Sequence, residues 1–473
     1  MHRLEFEGGK VVLTLFLGDV ADGLPQLALA ADAIFLDGFA PQKNPQMWAP
    51  ALLRHLGRLA APGATLATWS VAASVRETLQ AAGFAVEKCP GFGTKREMLV
   101  GRLVRRARDF QKYENRKVIV VGAGVAGAAA SERLASRGWQ VTLIERHAAA
   151  AEEASGNHAG VFHPVVSPDD SLFARFTRAS FLFLLNRWQE LGSLEWQRCG
   201  VLQLARDGRE KASQQRALET LAYPERYAQF DAARGGIWFP EAGWVRPKSL
   251  VQALLSRNGI KTKYGIEVFN LEFSDGVWTC FDKNKISIAT APIVILANAA
   301  DALRLSPQPN VRLRRIRGQL TLAPAIAGLD HVVLRGGMAL PGVDGISVIG
   351  ASFDVGDDDP RVRADSHAGN LERLEQMLPG ATRGLDPEKL DGRVAFRAVV
   401  PDRLPMVGPM GNGMFGSFAF GSRGLLWASL AGEIIASILE GEPLPVERKL
   451  AAAVDPGRFA LRAERRRTTS APA

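Results

Sequence analysis

Residues 117–145 read KVIVVGAGVAGAAASERLASRGWQVTLIE, a stretch that predicts a strand, a glycine turn, a helix and a second strand. The G-A-G-V-A-G motif places Gly122, Gly124 and Gly127 directly after the apolar strand Lys117–Val121. Such glycines permit a tight turn, the approach of a pyrophosphate to the backbone, and close packing of helix on strand. The helix N-terminus adds unpaired N–H groups that favour phosphate. The pattern predicts a Rossmann-type dinucleotide site.

The second strand, Gln140–Ile144, ends at Glu145. A carboxylate at this place accepts hydrogen bonds from ribose hydroxyls, and an acid rather than an arginine favours FAD or NAD over NADP. The plainer alternative is a glycine-rich turn in an ordinary strand–helix–strand unit, because the motif alone is weakly specific.

Composition limits the function classes. A length of 473 residues indicates two or three domains, and a net charge of +9 favours a polyanionic partner. The seven histidines lack paired ligand spacing, so we expect no metal. Three widely separated cysteines fit a reducing cytoplasm. The N-terminus lacks the apolar segment of a signal peptide, and the SFLFLL run is too short for a membrane span.

The first 104 residues alternate strands and helices, which predicts the second half of an α/β sheet domain. We expect strands at 13–20, 32–39 and 64–70, helices at 47–59 and 71–82, and a closing hairpin around 90–95.

The rest of the chain divides into three further segments. Residues 105–117 form a basic linker, either solvated or in contact with RNA. Residues 118–455 form the major domain, with inserted antiparallel segments at about 200–290 and 320–395 as a substrate layer. The arginine-rich tail 456–473 is expected to be disordered.

Two more segments are expected to meet the glycine turn at a cofactor. One is the small-residue loop Ser155–Gly156–Asn157, which suits the passage of a flat ring. The other is Gly421–Ser422–Arg423–Gly424 at the start of a helix, whose positive end stabilises charge on a flavin that accepts a hydride. Alternatively, Gly421 and Ser422 form only a helix cap.

Candidate ligand-binding side chains occur in several places. Arg397 and Arg403 lie in FRAVVPDRLPMVG, and a fixed arginine suits a carboxylate, although an ion pair with a protein acid is an equal alternative. A further basic cluster is a candidate phosphate groove or a solvated edge: Arg312, Arg314, Arg315 and Arg317.

In the first domain, Asp37 follows a strand end, where α/β sheets bind ligands, and could accept a proton from an amine. The alternative is a turn residue. His158 and His163 are expected to be structural loop residues, and a place near the flavin is the alternative.

Taken together, these stretches resemble the bacterial bifunctional enzymes of 5-methylaminomethyl-2-thiouridine biosynthesis at the tRNA wobble position. The resemblance covers nearly the whole chain and rests on these stretches in the family's order: FLDGFAPQKNPQMW, TLATWS, GFGTKREMLVG, VVGAGVAGAA, EEASGNHAGVFHP, RGQ, IGASF, FRAVVPDRLPMVG and AFGSRGL.

The resemblance implies an FAD domain of the D-amino-acid-oxidase and glycine-oxidase type, preceded by a class I methyltransferase domain. It implies oxidative removal of a carboxymethyl group from 5-carboxymethylaminomethyl-2-thiouridine, followed by methylation of the amine from S-adenosylmethionine. Arg397 matches the carboxylate-binding position of the amine oxidases, and Asp37 is the candidate base of the methyl transfer.

The chain departs from the family at its start. The family's glycine-rich strand–turn and following acidic strand, which hold S-adenosylmethionine, would precede Met1. The methyltransferase half is then a remnant or part of a longer product, and its sheet has an exposed middle edge. We expect a cytoplasmic, FAD-dependent oxidase acting on tRNA, with no membrane partner, while methylation from S-adenosylmethionine is implied for the full-length family. Two alternatives stay open, an oxidase of free glycine or sarcosine and a non-enzymatic scaffold.

Overall fold

The computed structural model describes residues 1–105, 113–308 and 311–469, with side chains through 465. It divides into two compact units. Unit 1 contains Met1–Glu114 and Ala436–Ala452, and unit 2 contains Asn115–Ile435 and Ala453–Ala473. The predicted basic linker 105–117 falls mostly on residues 106–112, which lie outside the described residues.

Unit 1 begins as a small α/β domain. Its strands are β1 (His2–Phe6), β2 (Val11–Leu15), β3 (Ala31–Leu36), β4 (Ala60–Thr68), β5 (Phe84–Pro90) and β6 (Glu97–Leu103). Its first helices are α1 (Val20–Gln26), α2 (Pro50–Leu59) and α3 (Ala73–Ala81).

The main sheet of unit 1 has the order β3–β4–β6–β5, with β3 and β4 parallel and the β5–β6 hairpin antiparallel. The prediction that 13–20 adds a strand to this sheet is wrong. Strand β2 pairs antiparallel with β1 instead, because Gly8 and Gly9, both at positive φ, turn the chain back on itself.

Helices α2 and α3 cover one face of this sheet, where Leu53, Leu56 and Leu79 are buried in its core. Strand β3 is an edge strand of the described sheet, as the sequence predicts, and Phe35 on β3 is 81% exposed.

Unit 2 is richer in strands. They are β7 (Lys117–Val121), β8 (Gln140–Ile144), β9 (Gly160–Phe162), β10 (Trp196–Gln197), β11 (Val201–Leu204), β12 (Gln229–Asp231), β13 (Gly236–Phe239), β14 (Gly243–Val245), β15 (Ile260–Lys263), β16 (Asn270–Ser274), β17 (Val277–Phe281), β18 (Ser287–Ala291), β19 (Ile293–Leu296), β20 (Arg314–Pro324), β21 (Val332–Leu334), β22 (Met338–Ala339), β23 (Ile346–Gly350), β24 (Asp354–Val355), β25 (Asp391–Val399), β26 (Met406–Gly411) and β27 (Met414–Phe418).

The remaining helices follow further along the chain. They are α4 (Val125–Ala135), α5 (Leu172–Trp188), α6 (Gly208–Leu221), α7 (Pro247–Leu255), α8 (Ala302–Leu305), α9 (Ala364–Met377), α10 (Gly424–Glu440), α11 (Arg448–Val454) and α12 (Arg458–Thr469).

The cofactor half of unit 2 is a sheet of order β15–β8–β7–β19–β27–β26, parallel except for the last pair. Strands β7 and β8 have the predicted bounds, and their buried side chains make a near-continuous apolar run, as strands covered on both faces require. The glycine turn lies at the carboxyl end of β7, where open α/β sheets bind ligands.

The second large sheet of unit 2 has the order β12–β13–β11–β21–β22–β23–β20–β24, with β25 also paired to β20. It accounts for the predicted substrate layer only in part. Strand β15 follows helix α7 and pairs parallel with β8, while β16, β17 and β18 form an antiparallel sheet of their own. The prediction of one layer over 200–290 is therefore wrong, because short strands do not reveal their partners in the sequence.

The predicted disordered tail is also wrong over its described part, since α12 is a helix. Arg458 is buried, and its Nε and Nη2 each donate to a carboxylate oxygen of Asp402 at 3.0 Å. Phe459 packs on the core cluster that includes Met406. These contacts hold the start of the helix, and residues 470–473 lie outside the described residues.

Helix α10 is buried through most of its length. By length and composition Gly421–Glu440 could cross a bilayer, but 72% of its apolar window is buried inside the protein, the pattern of a core helix. Its fully buried Glu433 binds Arg133 Nε and Arg137 Nη2 of the α4 region, each at 2.6 Å. This ion-pair group ties α10 to α4.

We expect Glu433→Ala to lower the free energy of unfolding of unit 2 by about 3–5 kcal/mol, because both buried guanidinium groups lose this carboxylate. Urea unfolding followed by circular dichroism measures the change. Glu241→Ala, which removes a pair with Arg198 exposed on both sides, is the control and should cost no more than about 1 kcal/mol. Equal effects of the two substitutions would contradict the expectation.

Candidate active site

The turn between β7 and α4 requires its glycines. Gly122 has φ +103°, and a Cβ there would lie 2.8 Å from the carbonyl oxygen of Ala297. A Cβ on Gly127 would lie 1.9 Å from the carbonyl oxygen of Gly122, so α4 meets the turn without room for a side chain. Gly124 precedes Val125, whose N–H donates to Ser155 Oγ at 3.0 Å. The helix N-terminus is therefore held against the second predicted segment.

Glu145 is buried beside this turn. Its Oε2 accepts a hydrogen bond from the backbone N–H of Ala123 at 2.7 Å, and its Oε1 accepts one from that of His147 at 3.0 Å. An ionised carboxylate has about four acceptor positions, so acceptor capacity remains for ligand hydroxyls.

The second predicted segment forms a short 3₁₀ turn, Ala154–Gly156. Gly156 is confined, since a Cβ there would lie 2.4 Å from Arg393 Nη2. Arg393 Nη2 donates to the carbonyl oxygens of Glu152 and Glu153 at 2.6 and 3.0 Å. Arg393 on β25 thus fixes the loop from outside.

The third predicted segment forms a 3₁₀ turn, Gly421–Arg423, directly before α10. Gly421 has φ +55°, and Gly424 faces Val125 at the start of α4. The Arg423 guanidinium lies 5.4 Å from the ring centre of Phe173, and burial lowers the pKa of Arg423 to about 10. Arg423 has no ion pair with a described residue.

Strand β25 brings these parts together. It contacts the 3₁₀ turns Ala154–Gly156 and Gly421–Arg423, and also Ala299–Asp301, which follows β19. The segments that the sequence places far apart therefore meet along one strand.

Two buried side-chain oxygens without partners in the described part of the chain show that the site fits FAD. Asn157 Oδ1 and Asn298 Oδ1 are buried beside the glycine turn and lack a hydrogen-bond partner among the described residues. Such groups are costly unless a ligand supplies donors, and FAD carries hydroxyl and ring N–H donors. These two oxygens, together with Glu145 and the N-terminus of α4, form a cradle that fits a dinucleotide.

Arg397 lies on the same face of β25 as Arg393, two alternations away. Its guanidinium lies over Gly318 of β20, where a Cβ would be 2.6 Å from the guanidinium carbon. Nη1 donates to the carbonyl oxygen of Ser352 at 3.0 Å. Within the described residues Arg397 has no ion pair, and its burial lowers its pKa. No acid among the described residues therefore forms the ion pair that was the alternative role for Arg397.

Asp354, the acid whose charge acts on Arg397, is paired with another arginine. Asp354 Oδ2 accepts hydrogen bonds from Arg317 Nη1 at 2.9 Å and from Ser352 Oγ at 2.7 Å. Arg317 is fully buried and also donates to the carbonyl oxygens of Asp359 and Arg361. Arg317 is thus structural, and it leaves Arg397 available to a ligand carboxylate.

Other predicted residues lie away from this cradle or have ordinary contacts. Arg403 is exposed on a turn at φ +60°, and His158 Nε2 bonds the carbonyl oxygen of Val343 at 2.9 Å. Arg312 and Arg314 are exposed, and Arg315 stacks on Phe396 at 4.4 Å.

Asp37 belongs to unit 1. It is exposed directly after β3, next to Gly38, which packs against Trp48. Trp48 Nε1 donates to the carbonyl oxygen of Phe39 at 2.8 Å, so the loop after Asp37 is fixed by an aromatic side chain.

Comparison with known proteins identifies the family. Residues 117–438 match the model of FAD-dependent oxidoreductases, and residues 1–104 match that of S-adenosyl-L-methionine-dependent methyltransferases. The tRNA 5-methylaminomethyl-2-thiouridine biosynthesis bifunctional protein MnmC of Paraburkholderia phytofirmans is 44% identical over 99% of this chain and 80% of its own length. The protein of the same name from Azoarcus sp. is 45% identical over 98% of this chain and 79% of its own.

The chain belongs to the MnmC family. Among solved structures, glycine oxidase from Bacillus cereus is similar with a TM-score of 0.59 and 20% identity, covering 69% of this chain and 95% of that one. L-Proline dehydrogenase from P. horikoshii has a TM-score of 0.62 and 18% identity, covering 73% and 98%. At these identities the likeness shows the fold alone.

The predicted family and fold class are confirmed. This MnmC family member is an enzyme with an FAD-dependent oxidoreductase domain and a methyltransferase domain. The roles of individual site residues stay predictions. Sequence reasoning missed Arg393, Ser352 and Asn298, although the position of Arg393 four residues before Arg397 places both on one strand face.

The pKa of His163 provides a test of how strongly this site is shielded from water. Burial, and then the charge of Arg423, lower the pKa of His163 from 6.5 to about 3, while Nδ1 bonds the carbonyl oxygen of Pro164 at 2.8 Å. Because that carbonyl only accepts, Nδ1 carries the proton of a neutral ring. Unfolding frees this ring to take up a proton below about pH 6.5.

We therefore expect His163→Gln to reduce the acid sensitivity of the fold. The wild-type contribution is complete above pH 6.5 and is lost as the pH falls towards 3. The melting temperature between about pH 7.5 and 5.5 should then fall less in the variant than in the wild type. Parallel pH dependences would show that His163 is protonated as easily in the folded protein as in the unfolded one.

Proposed function

We propose that this chain oxidatively removes the carboxymethyl group of 5-carboxymethylaminomethyl-2-thiouridine in tRNA to give 5-aminomethyl-2-thiouridine. The uncommitted guanidinium of Arg397 carries the proposal, because a buried arginine with no protein acid suits a substrate carboxylate. The relatives' names supply the nucleoside, since they refer to 5-methylaminomethyl-2-thiouridine in tRNA.

The proposed reaction cleaves one carbon–nitrogen bond of the secondary amine in the modified uridine's side chain. Bound FAD would supply the hydride acceptor for oxidation of the methylene between the amine and the carboxylate. The resulting substrate imine adds water and separates into the aminomethyl nucleoside and glyoxylate, so the bond between the nitrogen and the glycine-like carbon breaks.

Arg397 would hold the carboxylate through two parallel N–H···O bonds, with the Ser352 carbonyl fixing the guanidinium. Positive charge from Arg397 and Arg423 favours the neutral amine, the form able to give up a hydride. His163 adds no charge at neutral pH because its pKa is about 3.

The cofactor roles are proposed for the residues that the sequence identified. For FAD they are Gly122, Gly124, Gly127 and Glu145 at the pyrophosphate and ribose, and Ser155, Gly156, Asn157, Gly421, Ser422, Arg423 and Gly424 around the ring system. S-Adenosylmethionine would belong to unit 1, with Asp37 as candidate base. We place the enzyme in the cytoplasm, with tRNA as its partner.

A second candidate is the oxidation of a free amino acid such as glycine or sarcosine. Arg397 favours it equally, because the guanidinium binds a carboxylate and the carboxylate is common to both substrates.

Mass spectrometry of nucleosides from tRNA bearing the carboxymethylaminomethyl group tests the proposal. The purified protein is incubated with this tRNA, with and without S-adenosylmethionine. We expect the aminomethyl nucleoside and glyoxylate in both samples. A methylaminomethyl product that requires the donor would assign methyl transfer to unit 1 as well. Unchanged tRNA together with turnover of free glycine would replace the proposal by the second candidate.

Arg397→Ala should lower kcat/KM for the carboxymethylated tRNA strongly, mainly through KM. The loss of a buried bidentate partner corresponds to about 2–5 kcal/mol, or roughly 30- to several thousand-fold. Bound FAD, read from its absorbance, should be unchanged because Arg393, rather than Arg397, contacts the cofactor loop.

Arg403→Ala is the matched control, since Arg403 lies six residues further on but is exposed. It should leave KM within about twofold, an effect typical of surface substitutions. Wild-type kinetics in Arg397→Ala would remove Arg397 from the site.

A further inference from the structure

Phe353 is an exposed aromatic residue beside the proposed carboxylate site. It is 60% exposed, and the guanidinium carbon of Arg397 lies 5.7 Å from its ring centre. Among the described residues its ring makes no stacking contact with another aromatic side chain. An exposed aromatic ring beside the proposed carboxylate site is a candidate contact for the rest of the ligand.

The backbone on both sides of Phe353 is fixed. Ser352 gives its carbonyl oxygen to Arg397 and its hydroxyl to Asp354, and Asp354 is held by Arg317. The ring is therefore presented from a rigid segment. Its exposure does not come from a loose loop.

A second apolar side chain continues the surface. Val355, 59% exposed, follows Phe353 by two residues in the chain. Val355 pairs with Ile316, and Ile316 pairs with Arg397 on the next strand. The site around Arg397 thus has an apolar border on one side.

We propose that Phe353 is the platform on which the 2-thiouracil base stacks while Arg397 binds the carboxylate. This inference rests on the proposed function and adds the residue that separates a nucleotide-borne substrate from a free amino acid. A free amino acid has a carboxylate for Arg397 but no ring for Phe353.

The length of the modification supports this placement. Four bonds separate the base carbon from the carboxylate carbon, roughly 5 Å when extended. A bidentate carboxylate carbon lies about 4 Å from the guanidinium carbon. The base can therefore reach the Phe353 ring, whose centre lies 5.7 Å from the guanidinium carbon of Arg397.

Charge near Arg397 favours a nucleic acid over an apolar protein segment as the occupant, since the neighbouring acids Asp357 and Asp358 are paired with Arg363 and Arg315. Arg312 and Arg314 are exposed at the start of β20, the strand that pairs with both β24 and β25. Exposed arginines beside an aromatic platform suit a nucleotide, whose base stacks while its phosphates are neutralised.

Phe353→Ala and Phe353→Trp, both as holoenzyme, test the platform. For Phe353→Ala we expect kcat/KM for the carboxymethylated tRNA to fall by about tenfold or more, the size of one base–aromatic stack. Phe353→Trp should restore it. With sarcosine, both variants should stay within about twofold of the wild type, because no base is present. Phe269→Ala, which removes a ring of similar exposure (56%), is the matched control and should behave as wild type on both substrates.

A binding measurement separates this inference from the proposed function. Equilibrium dialysis with the free nucleoside 5-carboxymethylaminomethyl-2-thiouridine needs no turnover. Weaker binding to Phe353→Ala without wild-type turnover of tRNA would keep the platform and overturn the proposed reaction. Turnover by the wild type with equal binding and kinetics in Phe353→Ala would overturn the platform alone. No wild-type binding of the nucleoside together with no wild-type turnover of the tRNA would overturn both.

Discussion

The close contact between α4 and its neighbours is the constraint on which the cofactor half of this protein depends. A Cβ on Gly127 would lie 1.9 Å from a carbonyl of the turn beneath it, and one on Gly432 of α10 would lie 2.7 Å from the carbonyl oxygen of Ala129. The helix is thus enclosed between sheet and α10 at distances that only glycine allows. Glu433 joins Arg133 and Arg137 across the same interface, so packing and charge fix the same position. The end of α4 that faces the ligand cannot shift without opening both contacts.

Two neighbouring arginines show how the surroundings decide the role of a side chain. Arg317 is fully buried but is surrounded by one carboxylate and by carbonyl oxygens, which compensate its lost hydration. Arg397, one strand away, has a single carbonyl oxygen as its partner among the described residues. A buried cation left in this condition is costly, and a ligand anion is the simplest compensation. Both arginines are withdrawn from water, Arg317 fully and Arg397 in part, but only Arg397 lacks an acid as ion-pair partner among the described residues.

The sequence predicts the parts of this structure that local rules determine. Strands β7 and β8 and the glycine turn follow from apolar runs and from the backbone freedom of glycine, and their predicted bounds are correct. The partner of β2 is local, and the signal for its hairpin with β1 is the Gly8–Gly9 turn. The partner of β15 could not be predicted, because its pairing with β8 depends on contacts far apart in the chain. The helix at Arg458 was missed for the same reason, since its charged side chains suggest a solvated tail while Asp402 holds one of them in the interior. Arg397 was found through the family resemblance, and its lack of a protein acid could be seen only in three dimensions.

Strand β25 carries two functions on one stiff element. Arg393 anchors the loop that we propose for the cofactor, and Arg397, roughly 13 Å further along, belongs to the proposed carboxylate site. Since a strand paired along its length moves as a body, the two arginines share every displacement of β25. The separation between the loop that Arg393 anchors and the guanidinium of Arg397 is therefore set by the strand itself, and a carboxylate held by Arg397 would keep a constant distance from that loop.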